Sequence, residues 1–314
     1  MRIGLLLIDG FALMSYASVV EPFRAANNLA GKPLYGWDHL SVMGSEIVAS
    51  NGLTSLADHA ISQSPEFDRI FVFAAGDPAA YSDERCFGWL RQQARKGVHI
   101  IGVSGGPYLL ARAGLLHGYR MTIHWEHVSA LQEEFPALAL EPGLFVIDRD
   151  RMTCAGGTAG FDLALALIEQ DHGAALARQI AEWFIRTEQR PSNLTQRLGL
   201  GERYGTRNAR LLSMLTAMEA AIEMPLTRDQ LARIVGVSVR QLERLCSSQL
   251  HAGISETYFN IRLDHAVHLL RSTTYPITAI SLLCGFSTAS HFSRSFKAKY
   301  GTSPSQWLKQ GYSP

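Results

Sequence analysis

Two helix-turn-helix patterns stand in tandem near the carboxyl end of this 314-residue chain, and they limit its architecture more than any other feature. The first covers 226–245: a short helical stretch ends at Gly236, Ser238 follows as a cap, and Leu242 and Leu245 give the next helix an inward face. The second, 277–296, repeats that grammar with Gly285 at the turn, Ser287 and Thr288 as caps, and Phe292 and Phe296 inward. Between them, 255–270 spaces Tyr258, Ile261, Leu263, Ala266, Leu269 and Leu270 at helical intervals. One such pattern alone is also what a plain helical hairpin gives. A tandem pair joined by an amphipathic helix is far more specific, because a rigid connecting helix holds two recognition helices about one DNA turn apart, on the order of 34 Å.

Charge is distributed accordingly. From residue 206 onward there are 12 Lys and Arg against 6 Asp and Glu, while the remainder has 17 against 22 and the whole chain carries +1. A basic end on a near-neutral protein is expected when one domain meets phosphate and the other does not. Arg240, Glu243 and Arg244 lie opposite the inward face of the first recognition helix, and Ser290, His291 and Arg294 opposite that of the second. Arginine bonds bidentately to guanine and glutamate accepts from cytosine. The same side chains also serve as phosphate contacts, which position without specifying. Double-stranded DNA is the expected partner, with paired half-sites if the protein is a homodimer.

The stretch 211–309 resembles the AraC-type DNA-binding domain. The resemblance is carried by Ala279-Ile280-Ser281-Leu282-Leu283-Cys284-Gly285-Phe286, by Ser290-His291-Phe292-Ser293-Arg294-Ser295-Phe296-Lys297, and by Tyr300-Gly301-Thr302-Ser303-Pro304.

Ahead of this end, β-rich runs at 3–8, 39–43, 70–73, 98–103, 145–147 and 152–154 alternate with helical stretches at 16–29, 86–96, 108–113, 127–134 and 160–170. That alternation predicts an α/β domain, a mostly parallel sheet flanked by helices, followed by an all-α domain with two helix-turn-helix motifs. The expected division is 1–188, a linker at 189–207 rich in turn-formers and charges (Pro191, Ser192, Asn193, Gly199, Gly205), and 208–314. Composition that is 47% apolar supplies ample core for two domains. The opening apolar run is too short to span a bilayer and is ended by Asp9. Cys86, Cys154, Cys246 and Cys284 are scattered without a Cys-x-x-Cys pair, so neither a metal site nor a disulfide framework is expected. A cytoplasmic protein without membrane attachment or cofactor follows as the expectation.

Within the α/β part, Ile100-Ile101-Gly102-Val103-Ser104-Gly105-Gly106-Pro107 has the grammar of a nucleophile elbow, a strand turning sharply into a helix with one side chain exposed. Its surroundings resemble the PfpI/ThiJ superfamily, a class I amidotransferase-like fold, and more narrowly the GlxA-type transcription regulators that fuse this fold to an AraC-type end. The matching residues are Asp9-Gly10-Phe11, Glu21-Pro22-Phe23-Arg24, Ala49-Ser50-Asn51-Gly52, Thr122-Ile123-His124-Trp125-Glu126 and Cys154-Ala155-Gly156-Gly157-Thr158. The chain departs from the superfamily's enzymes in holding Ser104 where they hold a cysteine, Gly105 where a hydroxyl residue is common, and Ser15 where some carry an acid. A serine needs a base within hydrogen-bond reach, and His124 is the candidate, with Glu126 the only carboxylate marked to orient it.

The pocket expected without catalysis uses backbone N–H groups at Gly105 and Gly106 for a carboxylate, and Ser104 and His124 beside them. Glu21 and Glu126 would meet a cation, with Tyr16, Tyr108 and Trp125 as aromatic walls. The resemblance implies a transcription regulator, an activator contacting RNA polymerase, that answers to a small effector of the arginine, betaine or carnitine kind. The alternatives are a serine-dependent amidohydrolase, or a constitutive DNA-binding protein whose front domain only dimerises.

Overall fold

The computed structural model describes residues 1–309 apart from Thr187, Gln189 and Thr274. The chain falls into two compact units, Met1–Gln196 and the part from Arg197 onward. The expected start of the linker, Gln189, lies outside the described residues.

Seven strands of the first unit form one sheet. They are β1 (Arg2–Leu7), β2 (Gly36–Ser41), β5 (His59–Ala60), β6 (Arg69–Ala74), β7 (His99–Ser104), β10 (Phe145–Asp148) and β11 (Arg151–Cys154). Their order is β10-β11-β7-β6-β1-β2-β5, parallel throughout except where β10 meets β11. All six strand runs read from the sequence belong to it. The sheet is covered on both faces, as a parallel sheet must be, and its residues sort by parity. Leu5, Leu7, Phe71 and Phe73 pack with α1 (Leu13–Ala30), α5 (Ala159–His172) and α6 (Ala174–Trp183). Leu6, Ile70 and Val72 pack with α2 (Glu84–Arg95), α3 (Gly106–Arg112) and α4 (Val128–Glu134). Two short pairs complete the unit, β3 (Glu46–Val48) with β4 (Thr54–Leu56), and β8 (Arg120–Met121) with β9 (Ala139–Leu140).

The second unit is helical: α7 (Leu200–Arg203), α8 (Ala209–Ala220), α9 (Arg228–Ile234), α10 (Val239–Gln249), α11 (Ile254–Ser272), α12 (Ile277–Leu283), α13 (Ala289–Tyr300) and α14 (Pro304–Lys309). Both α9 and α10 open on reciprocal capping boxes, Thr227 with Gln230 and Ser238 with Gln241. Of the two caps expected for α13, Thr288 serves, accepting the His291 N–H at 3.2 Å. Gly236 and Gly285 both take left-handed φ, 70° and 71°, and so end the helices before them. The inward pair of α10 is Leu242 and Cys246, with Leu245 only half-buried, because a helix turns its face by four positions rather than three at this crossing. The long α11 serves two cores: Tyr258 and Ile261 belong to the first helix-turn-helix, and Leu263, Ala266, Leu269 and Leu270 to the second.

Candidate functional site

Strand β7 delivers Ser104 in the left-handed region, φ 60°, and the chain turns at once into α3. Three glycines permit the turn. A Cβ at Gly106 would stand 2.1 Å from the Val72 carbonyl oxygen, and one at Gly102 would stand 2.7 Å from Pro107 N. A Cβ at Gly105 would come within 3.1 Å of Ala74 O. The loop after β11 closes over the elbow, since a Cβ at Gly156 would meet Ser104 Cβ at 2.6 Å. Ser15 at the start of α1 fastens that loop by accepting the Gly157 N–H at 2.8 Å, and Ser18 donates to Gly157 O at 2.6 Å.

The elbow is built, but its catalytic complement is not assembled. The N–H after the serine, the usual oxyanion donor, is spent on Ala74 O at 2.8 Å, which corrects the expectation that Gly105 offers it to a ligand. The Gly106 N–H has no partner among the described residues, and neither does the Ser104 hydroxyl. His124 approaches through its backbone, N–H to Ser104 O at 3.4 Å. Its Nδ1 faces the Glu126 N–H at 3.4 Å and the Glu126 carboxylate at 3.7 Å. Burial pushes the His124 imidazole below its ordinary range, against the opposing pull of Glu126, so the ring is neutral near pH 7. Cys154, at the end of β11, is wholly buried and its thiol is pushed up to about 12 by burial, which makes it inert.

Ser104 and Gly106 therefore lie with Ser15 and the 156–157 loop, and the His124 backbone joins them, with Trp125 and Glu126 next to it in the chain. Of the other expected pocket residues, Tyr108 is turned away from them, while Tyr16 and Glu21 have partners of their own. Tyr108 is buried in the core, its hydroxyl donating to Glu134 Oε2 at 2.7 Å, because four positions of chain rotation beyond Ser104 turn it onto the α4 side. Tyr16 packs on Phe11 and Phe73 and its hydroxyl meets His39 Nε2 at 2.8 Å, on the β2 side. Glu21 is held by Arg24 one turn along α1.

Sequence reasoning missed the residues that tie this region to the chain leading into the second unit. Arg186 and Arg190 close on the fully buried Asp162 at 2.6 and 2.7 Å, and Arg190 donates to Thr158 at 2.9 Å. Ser192 O accepts the Leu144 N–H at 2.7 Å. Gln196 spans the site's own loop: its Oε1 accepts the Trp125 N–H at 2.8 Å, and its Nε2 donates to Ile123 O and Gly143 O at 2.9 Å.

In the second unit, Arg240, Arg244, Ser290, His291 and Arg294 are exposed along α10 and α13. No ion pair engages Arg240, Arg244 or Arg294 among the described residues, which leaves three guanidinium groups for phosphate or guanine. Glu243 is the exception to the expected face. Its carboxylate turns to the start of α11 and accepts the Ile254 N–H at 3.4 Å. Arg262, not foreseen, donates from α11 to Cys284 O at 2.7 Å and Gly285 O at 2.6 Å and stacks over Phe286, closing the end of α12.

Among the described residues no helix is long and apolar enough to cross a membrane, and no cluster of three potential ligands could hold a metal. Residues 1–170 match the DJ-1/PfpI family, and 231–310 match a helix-turn-helix domain family. The HTH-type transcriptional regulator CdhR of Pseudomonas aeruginosa is 43% identical over 96% of this chain and 89% of its own length. GlxA of Rhizobium meliloti, also an HTH-type transcriptional regulator, is 41% identical over 96% and 94%. The crystal structure of an AraC family transcriptional regulator from Pseudomonas putida superposes with a TM-score of 0.53 at 25% identity, covering 58% of this chain and 98% of that one. The gathered elbow, the paired recognition helices and these relatives agree: the chain belongs to the GlxA-type regulators, DNA-binding transcription factors with a DJ-1/PfpI domain ahead of an AraC-type helix-turn-helix end.

Proposed function

We propose that the first unit is a non-catalytic sensor and that its elbow region binds a small amino-acid-like or quaternary-amine effector, of the arginine, betaine or carnitine kind. Occupancy then changes how the helical end engages DNA, and the protein acts as an activator, through RNA polymerase and as a homodimer. One observation carries this reading. The elbow has lost its oxyanion donor to Ala74 O, while the segment leading to the DNA-binding unit is hydrogen-bonded to the loop beside it through Gln196. A site without catalytic parts but joined to the route towards DNA is suited to sensing. Gly106 N–H supports carboxylate binding, and Glu126 supports a cationic group beside Trp125. Any such effector must bind two arrangements of the protein with different affinity, or it shifts nothing.

The test is thermal denaturation of the purified protein with arginine, glycine betaine, carnitine, choline and dimethylglycine. A true effector at one hundred times its dissociation constant stabilises by about 2.7 kcal/mol. A single strong response supports the sensor reading. Silence across the panel moves the first unit towards a dimerisation role.

A further inference from the structure

The N-cap of α11 is Gly253, which has no side chain to serve the first turn. Glu243 supplies that acceptor from the neighbouring recognition helix, Oε2 to the Ile254 N–H at 3.4 Å. The fit is close, since a Cβ at Gly253 would stand 2.6 Å from Glu243 Oε1. A carboxylate here also faces the positive end of a 19-residue helix.

The second half of the unit provides an internal control. The burial pattern of 241–250 recurs position for position in 291–300. The left-handed residue that follows each recognition helix, His251 at φ 54° and Gly301 at φ 78°, falls at the same place. In this register Glu243 corresponds to Ser293, Gly253 to Ser303 and Ile254 to Pro304. Pro304 has no N–H to satisfy, and Ser303 caps its own helix, accepting the Gln306 N–H at 3.2 Å. Where the cap is local, no acid stands on the recognition helix. Where the cap is lacking, Glu243 provides it.

Helix α11 is the piece both halves share. Its Asp264 receives Lys299 and Tyr300 of α13 at 2.6 Å, and its Arg262 closes α12. We propose that Glu243 is a positioning residue that fixes α10 on α11. It thereby sets the spacing and angle at which a DNA site must offer its two halves, and reads no base itself. The proposal rests on DNA binding alone and needs no effector.

The experiment binds the full-length protein, Glu243→Ala, Glu243→Gln and Gly253→Ala to one pool of randomised duplexes and sequences what is retained. Affinities are then measured for the selected duplex and for versions with one base pair added or removed between its halves. Glu243→Gln keeps an acceptor oxygen and is expected to select the same duplex as the wild type. Glu243→Ala and Gly253→Ala, the latter disturbing the cap from the other side, are expected to lose about three- to tenfold in affinity. Neither should relax any single base position, and both should discriminate less between spacings. Thermal denaturation of all three variants verifies that each is folded, and Gly253→Ala with Glu243→Gln keeps the question open to refutation if the alanine variant at 243 does not fold. The proposal is overturned if Glu243→Ala relaxes one base pair while Gly253→Ala binds as wild type. It is equally overturned if Glu243→Gln switches the preferred base from cytosine to adenine, or if no variant changes affinity or spacing.

Discussion

At Gly106 a single methyl group decides whether the elbow can form, because the Val72 carbonyl oxygen would lie 2.1 Å from it and belongs to the sheet itself. Gly106→Ala is expected to destabilise the first unit by more than about 3 kcal/mol in urea unfolding, the range of severe core overpacking. Gly88, in the middle of α2, is the contrast: its Cβ would meet nothing nearer than the Arg91 guanidinium at 3.9 Å. Gly88→Ala should stabilise by about 0.5–1 kcal/mol. The Ser104 hydroxyl has no partner among the described residues, so Ser104→Ala should stay within about 0.5 kcal/mol of wild type and leave DNA binding intact. Hydrolysis of an amide or ester by the wild type that Ser104→Ala abolishes would instead favour an enzyme. Ser104 and its glycines were legible in the sequence because a strand-to-helix turn this tight admits few residue types. Tyr108 was not, since nearness along the chain says nothing about which side of the sheet a helix turn presents.

At the scale of elements, the recognition helices were legible because caps, turn glycines and inward aromatics recur together. Their clamps were not: Glu243, Arg262 and Asp264 carry no periodic signal, and only the packed helices reveal what each side chain touches. The strands β3, β4, β5, β8 and β9 are two or three residues long and therefore too short to show alternation. Helix α11 also carries a titratable group whose effect can be signed. Burial pushes the His265 imidazole below its ordinary value of 6.5. The folded protein therefore holds this ring neutral while the unfolded chain takes up a proton as pH falls through 6.5. Stability from this group is complete above that pH and is lost on acidification. Chemical unfolding at pH 7.5 and 5.5 should show a smaller loss for His265→Gln than for wild type; equal losses would mean that His265 is solvated.

For the whole molecule the question is how a site in one unit could govern another. The sequence made 189–207 read as a linker, because turn-formers and charges dominate it and its partners lie far away in the chain. Yet Gln196 bonds to 123, 125 and 143, and Ser192 to Leu144, so the stretch up to Gln196 belongs to the first unit. On the sensor reading proposed above, an effector that reorders the 122–126 loop would alter those bonds, and with them the hold on the segment that leads into the second unit. Thermodynamic reciprocity gives this a strict form: if the effector changes DNA affinity by some factor, DNA changes effector affinity by the same factor. A typical coupling of about 1–3 kcal/mol corresponds to roughly 5- to 150-fold. In Gln196→Ala the coupling factor should fall towards one while the separate affinities for effector and for DNA stay within about threefold of wild type. Calorimetric titration of the effector, with and without a selected duplex, measures both factors in one protein. If the variant couples as strongly as wild type, the signal does not run through Gln196. If effector binding itself is lost, Gln196 is part of the pocket wall and not the tie to the DNA-binding end.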